Sequence, residues 1–91
     1  MYAVYCIDKQ GGLQLRLNNR AAHLAYLENF RDKIVLVGPL MTEDRQSMIG
    51  SLLVMDFKDR AELDAFLAED PYAKAGVFES VDVHPFRKVL P

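Results

Sequence analysis

Short apolar runs and longer amphipathic stretches alternate along this chain. The apolar runs are rich in β-branched and aromatic residues, and polar or glycine-rich segments such as KQGG separate them, as is typical of strands and turns. We predict strands at residues 2–8 (YAVYCID), 34–40 (IVLVGPL), 48–57 (MIGSLLVMDF) and 77–86 (VFESVDVHPF). The second and third runs are joined by the polar segment TEDRQS and predict a hairpin. The prolines within the second and fourth runs predict a bulge or an edge position in the sheet.

The stretch after the first strand has helical spacing. Either Asn18 or Asn19 could cap a helix over residues 20–33, since asparagine favours that position. The side chains predicted along one side of this helix are His23, Leu24, Leu27, Phe30 and Arg31. His23 therefore interrupts an apolar stripe.

A second helix is predicted over residues 60–70. Asp59 and Glu62, three residues apart, resemble a capping box that opens it. One face of this helix is apolar and carries Leu63, Phe66 and Leu67. The chain therefore has the order β-α-β-β-α-β.

This order predicts a ferredoxin-like fold of the α+β class, in which two helices cover one face of a four-stranded antiparallel sheet. Two helices cannot cover both faces, yet the middle strands are apolar on both sides, as in a sheet buried on both faces. A second copy of the chain is the simplest cover for the other face. We therefore expect a homodimer with packed sheets, in the manner of a dimeric α+β barrel.

Length and composition restrict the class of protein. The 91 residues make one domain, residues 1–91, and 51% hydrophobic with 26% charged residues is the balance of a folded globular protein. The net charge is −2, without a block of like charges, so we expect no nucleic-acid and no membrane partner. Cys6 is the single cysteine and no signal-peptide pattern opens the chain, so we expect a cytoplasmic protein.

Asp70 lies in an unusual place, in the stretch AEDPYAKAG. It closes the second predicted helix and precedes Pro71, so it lies at a helix end where a carboxylate is disfavoured. Asp70 is four residues after Phe66 and seven after Leu63, which directs it toward the buried face. Unless a cation or several donors face it, its pKa should rise. The position therefore requires a partner.

His23 is the candidate partner of Asp70. A carboxylate fixes the tautomer of a histidine and stabilises its protonated form, so the two side chains could act as a general acid/base pair. Two alternatives stay open: His23 as a packing histidine, and Asp70 as a turn residue that accepts backbone N–H groups. In a ferredoxin-like subunit both helices begin at the same end of the sheet. Hence the sequence leaves open whether the pair meets within one chain or across a dimer.

Several segments resemble the YciI family, the YCII-related domain, which is similar in fold to muconolactone isomerase. They are RAAHLAYL, the GPL at 38–40, the GS at 50–51 and DPYAKAGVFESVDVHPF, and the resemblance covers nearly the whole chain. The R-x-x-H and D-P-[YF]-x-x-A-G elements are its most specific parts. The resemblance implies a ferredoxin-like dimer with an active site centred on His23 and Asp70.

Further residues of this chain match the family pattern. They are Arg20, Gly38, Pro39, Ser51 and Pro71. The resemblance thus implies a substrate pocket that Arg20, Pro39 and Ser51 help to form. The loop TEDRQS is short for the family, which leaves the pocket rim and the substrate undetermined.

The family implies a class of reaction but no single one. The relatives with a known reaction are similar to lyases or isomerases and act on small ring compounds. One of them is a dehydrochlorinase of chlorinated hydroxyquinols. We therefore expect a small enzyme without a cofactor that uses His23 and Asp70 on a small ring or lactone-like substrate. The alternative is a non-catalytic dimeric module that binds a small ligand or assists another enzyme.

Other side chains have a functional and a structural interpretation. Arg20 could anchor an anionic substrate or form a surface salt bridge. Tyr72 and Tyr5 could line a pocket for a ring-shaped ligand or pack in the core. Cys6, His23, His84 and Asp70 contain no pair with zinc-type spacing, so we expect no metal site.

Overall fold

Four strands form one antiparallel sheet in the computed structural model, which describes all 91 residues. The strands are β1 (Tyr2–Asp8), β2 (Ile34–Met41), β3 (Met48–Met55) and β4 (Phe78–Pro85), in the spatial order β2-β3-β1-β4. The helices are α1 (Leu13–Glu28), α2 (Arg60–Glu69) and the short α3 (Pro71–Lys74), with a 3-10 turn at Arg31–Lys33. The predicted ferredoxin-like fold is confirmed, with α3 as an additional element.

The hydrophobic core lies between the helices and one face of the sheet. Alternate residues of β1 and β3 point to this face because side chains alternate along a strand. The buried cluster comprises Val4, Cys6, Leu53 and Met55 from the sheet, Leu27 from α1, Leu63 and Phe66 from α2, and Phe57. The Tyr26 hydroxyl donates to the Phe66 carbonyl oxygen at 2.8 Å, which joins α1 to α2.

The first helix begins seven residues before its predicted start. It runs from Leu13 to Glu28 and has Gly12 at its N-cap, without a side-chain cap, so the predicted caps at Asn18 and Asn19 were wrong. Asn19 instead donates from its side chain to the Leu15 carbonyl oxygen within the helix. The residues before the asparagines are mostly good helix formers, and a glycine with no capping side chain gives a weak start signal.

The second helix follows its prediction closely. The Asp59 carboxylate accepts from the Glu62 backbone N–H at 2.9 Å, so the predicted N-cap is confirmed. The helix ends at Glu69, one residue early, because Asp70 takes an extended conformation before Pro71.

Both prolines of the strands lie on edges of the sheet, as predicted. Pro39 is in edge strand β2, opposite Ser51, and Pro85 ends edge strand β4. The register of β2 shifts between Ile34 and Leu36 and between Leu40 and Met41. Gly38-Pro39 therefore does not form a bulge.

The sheet face opposite the core is apolar over β1, β2 and β3. Its side chains include Tyr5, Leu36, Leu40 and Leu52, and Tyr5 and Leu36 are 47% and 49% exposed. On β4 the same face is polar, with Ser80, Asp82 and His84. Among the helices, none has the length and apolar character needed to cross a membrane.

Candidate active site

His23 and Asp70 contact each other within one chain. Nδ1 of His23 lies 2.8 Å from Oδ1 of Asp70, and the two residues are only 6% and 2% exposed. Since α1 begins at Leu13, His23 lies ten residues, about 15 Å, along the helix rather than at its start. It therefore reaches the end of the sheet where α2 finishes. A helix starting at residue 20 would have placed His23 at the opposite end of the sheet from Asp70, and that expectation failed because the predicted start was wrong.

Asp70 lies between two helices and caps an end of each. It caps the C-terminus of α2 and the N-terminus of α3, where Pro71 occupies the first helical position. Its Oδ1 accepts from the Tyr72 backbone N–H at 3.0 Å as well as contacting His23. Asp70 thus lies at the end of α2, as predicted, and its carboxylate faces two donors that offset the unfavourable position. Asp70 therefore accepts a backbone N–H of the turn and contacts His23 at the same time.

The second ring nitrogen of His23 is free. An ionised carboxylate only accepts, so the contact with Asp70 places a proton on Nδ1 and leaves the lone pair on Nε2. Nε2 makes no hydrogen bond to the protein. Every side-chain nitrogen or oxygen that is fully buried has a hydrogen-bond partner, so Nε2 is not fully buried. Nε2 must therefore be reachable from outside the protein.

A cavity of about 200 Å³ lies against His23, between α1, α3 and the edge of the sheet. Its lining comprises Arg20, His23, Leu24, Leu27, Val37, Gly38, Pro39, Ser51 and Tyr72. The structure thus brings five of the six predicted site residues to one cavity, with the sixth, Asp70, bonded to His23. Its walls combine aliphatic side chains with a guanidinium, an imidazole and two hydroxyl groups, which suits a small ligand with polar substituents.

Tyr72 forms part of the wall beside His23. The two rings stack with centroids 3.8 Å apart and planes at 12°. Burial raises the pKa of Tyr72 above its usual value, although the positive charges of Arg16 and Arg20 oppose the rise. The hydroxyl therefore stays protonated at neutral pH and can donate a hydrogen bond.

Arg16 is the residue that the sequence analysis missed. It is 2% exposed, and its Nε and Nη2 donate to the two carboxylate oxygens of Asp8 at 2.7 and 2.9 Å. Nη2 also donates to Ser51 Oγ at 2.7 Å. Burial lowers the pKa of Arg16, but the hydrogen bonds and charge of Asp8 raise it more, so it exceeds the usual value. Arg16 is thus a fixed cation behind the cavity wall.

A signal for Arg16 was present in the sequence. The buried positions of α1 are Arg16, His23 and Leu27, and the spacings of seven and four residues place them on one helical face. An earlier helix start would have brought Arg16 into line with His23. The lack of a capping side chain at Gly12 hid this relation.

The remaining candidate residues lie elsewhere. Tyr5 and His84 belong to the sheet face opposite the cavity. Cys6 is buried in the core, and burial raises its pKa to about 12. No three side chains of His, Cys, Asp or Glu lie close enough together to hold a metal ion.

A larger cavity of about 500 Å³ adjoins the first and shares Leu24, Leu27 and Val37 with it. Its polar side chains, Glu28 and Arg31, form an exposed salt bridge with each other. It contains no histidine, so the candidate acid/base pair belongs to the smaller cavity.

Comparison with known proteins agrees with the resemblance. The family described as YCII-related domain matches residues 1–87. Protein YciI of Escherichia coli O6:H1 is 35% identical over an alignment of 97 positions, which covers 99% of each chain. An uncharacterized protein of Haemophilus influenzae is 30% identical over 96 residues, covering 98% of each chain.

A solved structure has the same fold. It is the 5-chloro-2-hydroxyhydroquinone dehydrochlorinase TftG of Burkholderia phenoliruptrix AC1100 in complex with 2,5-dihydroxybenzoquinone. The two chains are 38% identical and superpose with a TM-score of 0.89 over 94% of this chain and 92% of that one. With the family match along nearly its full length, the chain belongs to the family of YCII-related domain proteins.

Proposed function

We propose that this protein is a small enzyme that moves a proton on a small ring compound, in a lyase or isomerase reaction. The observation that carries the proposal is the buried contact of His23 with Asp70 at 2.8 Å, with Nε2 of His23 free at the cavity. An imidazole held by a carboxylate through one nitrogen and open at the other is the usual arrangement of a general base.

The chemistry follows from the two ring nitrogens. Nε2 takes a proton from a carbon or oxygen of the substrate, and the electron pair left behind shifts into the ring system. Asp70 stabilises the resulting imidazolium through Nδ1. In an isomerase, Nε2 returns the proton to another atom. In a lyase, a leaving group departs with its electron pair and the imidazolium gives its proton to water.

The cavity suits a small substrate. Leu24, Leu27, Val37 and Pro39 provide apolar walls, and the Tyr72 ring adds an aromatic surface beside His23. Arg20 is exposed at the cavity, where it can attract a negatively charged substituent. A ring compound agrees with the ligand and the activity named for TftG, which is 38% identical. Binding through these residues requires no cofactor.

A panel of hydroxylated and chlorinated ring compounds and small lactones tests the proposal. It includes 5-chloro-2-hydroxyhydroquinone and is screened with the wild type, His23→Gln and His84→Gln. A substrate should be converted by the wild type and by the His84 variant, whose histidine lies on the opposite face, and about 100-fold or more slowly by His23→Gln. Tight binding without conversion would indicate the alternative, a ligand-binding module.

We also propose that the protein is a homodimer through the uncovered face of its sheet. Tyr5, Leu36, Leu40 and Leu52 form an apolar surface there, and such a surface is normally covered in a soluble protein. Sedimentation at low micromolar concentration should give twice the chain mass. Leu36→Glu should yield monomers, whereas Val81→Glu, a similarly exposed position on the other edge strand, should not. A wild-type monomer would contradict this assembly.

A further inference from the structure

The hydroxyl of Ser51 is held in one orientation by Arg16. A guanidinium can only donate, so Ser51 Oγ accepts from Nη2 at 2.7 Å. The hydroxyl proton must then point elsewhere, and Ser51 donates no hydrogen bond to the protein. Because Ser51 lines the cavity beside His23, its free O–H is available to a bound ligand.

Arg16 cannot enter the cavity itself. Its guanidinium is bound by both oxygens of Asp8, and the residue is 2% exposed. Its influence on a ligand must therefore pass through the groups that it contacts. Besides Ser51, it contacts Tyr72, whose ring centre lies 4.6 Å from the guanidinium carbon.

The hydroxyl of Tyr72 is a second free donor. Tyr72 is 1% exposed, and its hydroxyl lies near enough to Arg16 for a side-chain hydrogen bond, in which the hydroxyl oxygen can only accept. The hydroxyl proton is therefore left without an acceptor in the protein, and the cavity is the space that Tyr72 lines. The cavity thus has two unpaired O–H donors and no carboxylate among its lining residues.

We infer that the cavity selects compounds that carry a negatively charged oxygen, a phenolate or an enolate, and that Ser51 and Tyr72 donate to that oxygen while Arg16 acts as a positioning residue behind Ser51. Donors that are fixed in a largely dehydrated site stabilise negative charge without having to reorganise. The inference rests on the proposed function for the location of the ligand, and it adds the chemical class that this site prefers.

The test uses 4-nitrophenol, whose phenol and phenolate forms have different absorption spectra. Its binding is measured below the pKa of the free compound, where the phenol predominates. The bound compound should be mainly phenolate on the wild type. Ser51→Ala should reduce the affinity for the phenolate by about 10- to 100-fold, the usual range for a hydrogen bond to a charged group. Ser80→Ala, a serine on the opposite sheet face, should change nothing.

A second variant covers the case in which Ser51→Ala fails to fold. Tyr72→Phe removes only the hydroxyl and should lower the preference for phenolate by a similar factor. Tyr5→Phe, on the other sheet face, is its matched control. If the phenolate preference is unchanged in Tyr72→Phe and in any folded Ser51 variant, the inference is overturned.

The positioning role of Arg16 has its own readout. Arg16→Lys keeps the charge but loses the fork that serves both Asp8 and Ser51. It should weaken phenolate binding as Ser51→Ala does, and the double variant should be no weaker than Ser51→Ala alone, because both changes act on one hydroxyl. Losses that multiply in the double variant would mean that Arg16 has only a structural role.

His23→Gln separates this inference from the proposed function. Preference for the phenolate should survive in His23→Gln, because the donors are other residues. If it disappears there and survives in Ser51→Ala, then His23 holds the anion and the inference is wrong. If the preference depends on Ser51 while no compound is ever converted, the proposed enzyme function fails and the anion site stands.

Discussion

The pairs His23–Asp70 and Arg16–Asp8 have nearly the same contact distance and different consequences. Each joins a side chain of α1 to a buried carboxylate, at 2.8 and 2.7 Å respectively. The Arg16 guanidinium has fixed partners in Asp8 and Ser51, and it is shut off from the cavity. His23 keeps Nε2 free at the cavity wall.

The contrast shows that burial and an ionic partner do not by themselves mark a catalytic group. Removing one partner of an enclosed pair costs stability because it leaves a buried charge without a partner. A pair with one open atom can exchange a proton with a ligand. Variants of the first pair should therefore affect stability most, and variants of the second should affect activity most.

The largest effect is expected for Asp8→Ala. It leaves the Arg16 guanidinium buried without its counter-ion, which typically costs about 3–5 kcal/mol of unfolding free energy. Asp64→Ala, which breaks the exposed pair with Arg60, should cost less than about 1 kcal/mol. Denaturant melts at pH 7 compare the two. Equal losses would show that the enclosed pair contributes no more than a surface pair.

Alkaline pH should destabilise the protein through Cys6, which lies in the field of both pairs. Burial, and then the charge of Asp70, raise its pKa from 9.0 to about 12, while Arg16 opposes the rise. The raised folded-state pKa gives stability that is present below pH 9.0 and is lost toward pH 12, on the order of 4 kcal/mol in all.

The measurement is the slope of unfolding free energy against pH in this window. Cys6→Ala should show a clearly shallower decline than the wild type, whatever its stability at pH 7. Parallel curves for the two proteins would mean that the thiol does not contribute. Comparing slopes cancels the ionisation of the tyrosines, which both proteins share.

Asp70→Asn should destabilise the protein by about 1–3 kcal/mol. The buried carboxylate accepts from the Tyr72 backbone N–H and from His23, and the substitution removes the charge that strengthens both bonds. A conflict with the helix end would have given the opposite sign, so denaturant melts distinguish the two. Unchanged or increased stability would mean that the Asp70 charge is unfavourable at the helix end. The turnover number should fall as well, because His23 loses its orienting charge.

His23→Gln should have the smallest effect on stability, about 1 kcal/mol. The glutamine amide can still donate to the Asp70 carboxylate, so the main loss is the stacking of the imidazole on Tyr72, and an aromatic contact contributes on that scale. The same variant should lose nearly all activity, the reverse of the result for Asp8→Ala. A loss of stability as large as that of the Asp8 variant would make His23 a structural residue.

The sequence predicted the strands, the second helix and the sheet topology, because strand alternation and the Asp59 cap are local signals. It failed at the start of α1, where Gly12 provides no capping side chain, and this error hid Arg16 and separated His23 from Asp70. The helix α3 was missed because its four residues make only about one helical turn, which is too short to show a helical repeat of apolar positions. The contact of Arg16 with Ser51 joins residues 35 apart in the chain and depends on tertiary packing.

Deuterium exchange into the ring C–H positions of 2,5-dihydroxybenzoquinone tests the role of Nε2 most directly. Exchange requires proton transfer to and from ring carbon and does not depend on knowing the natural substrate. In D2O, followed by proton NMR, the wild type and His84→Gln should accelerate the loss of the ring signal. His23→Gln should be about 100-fold slower. Equal exchange with the wild type and His23→Gln would contradict the assignment of His23 as the base.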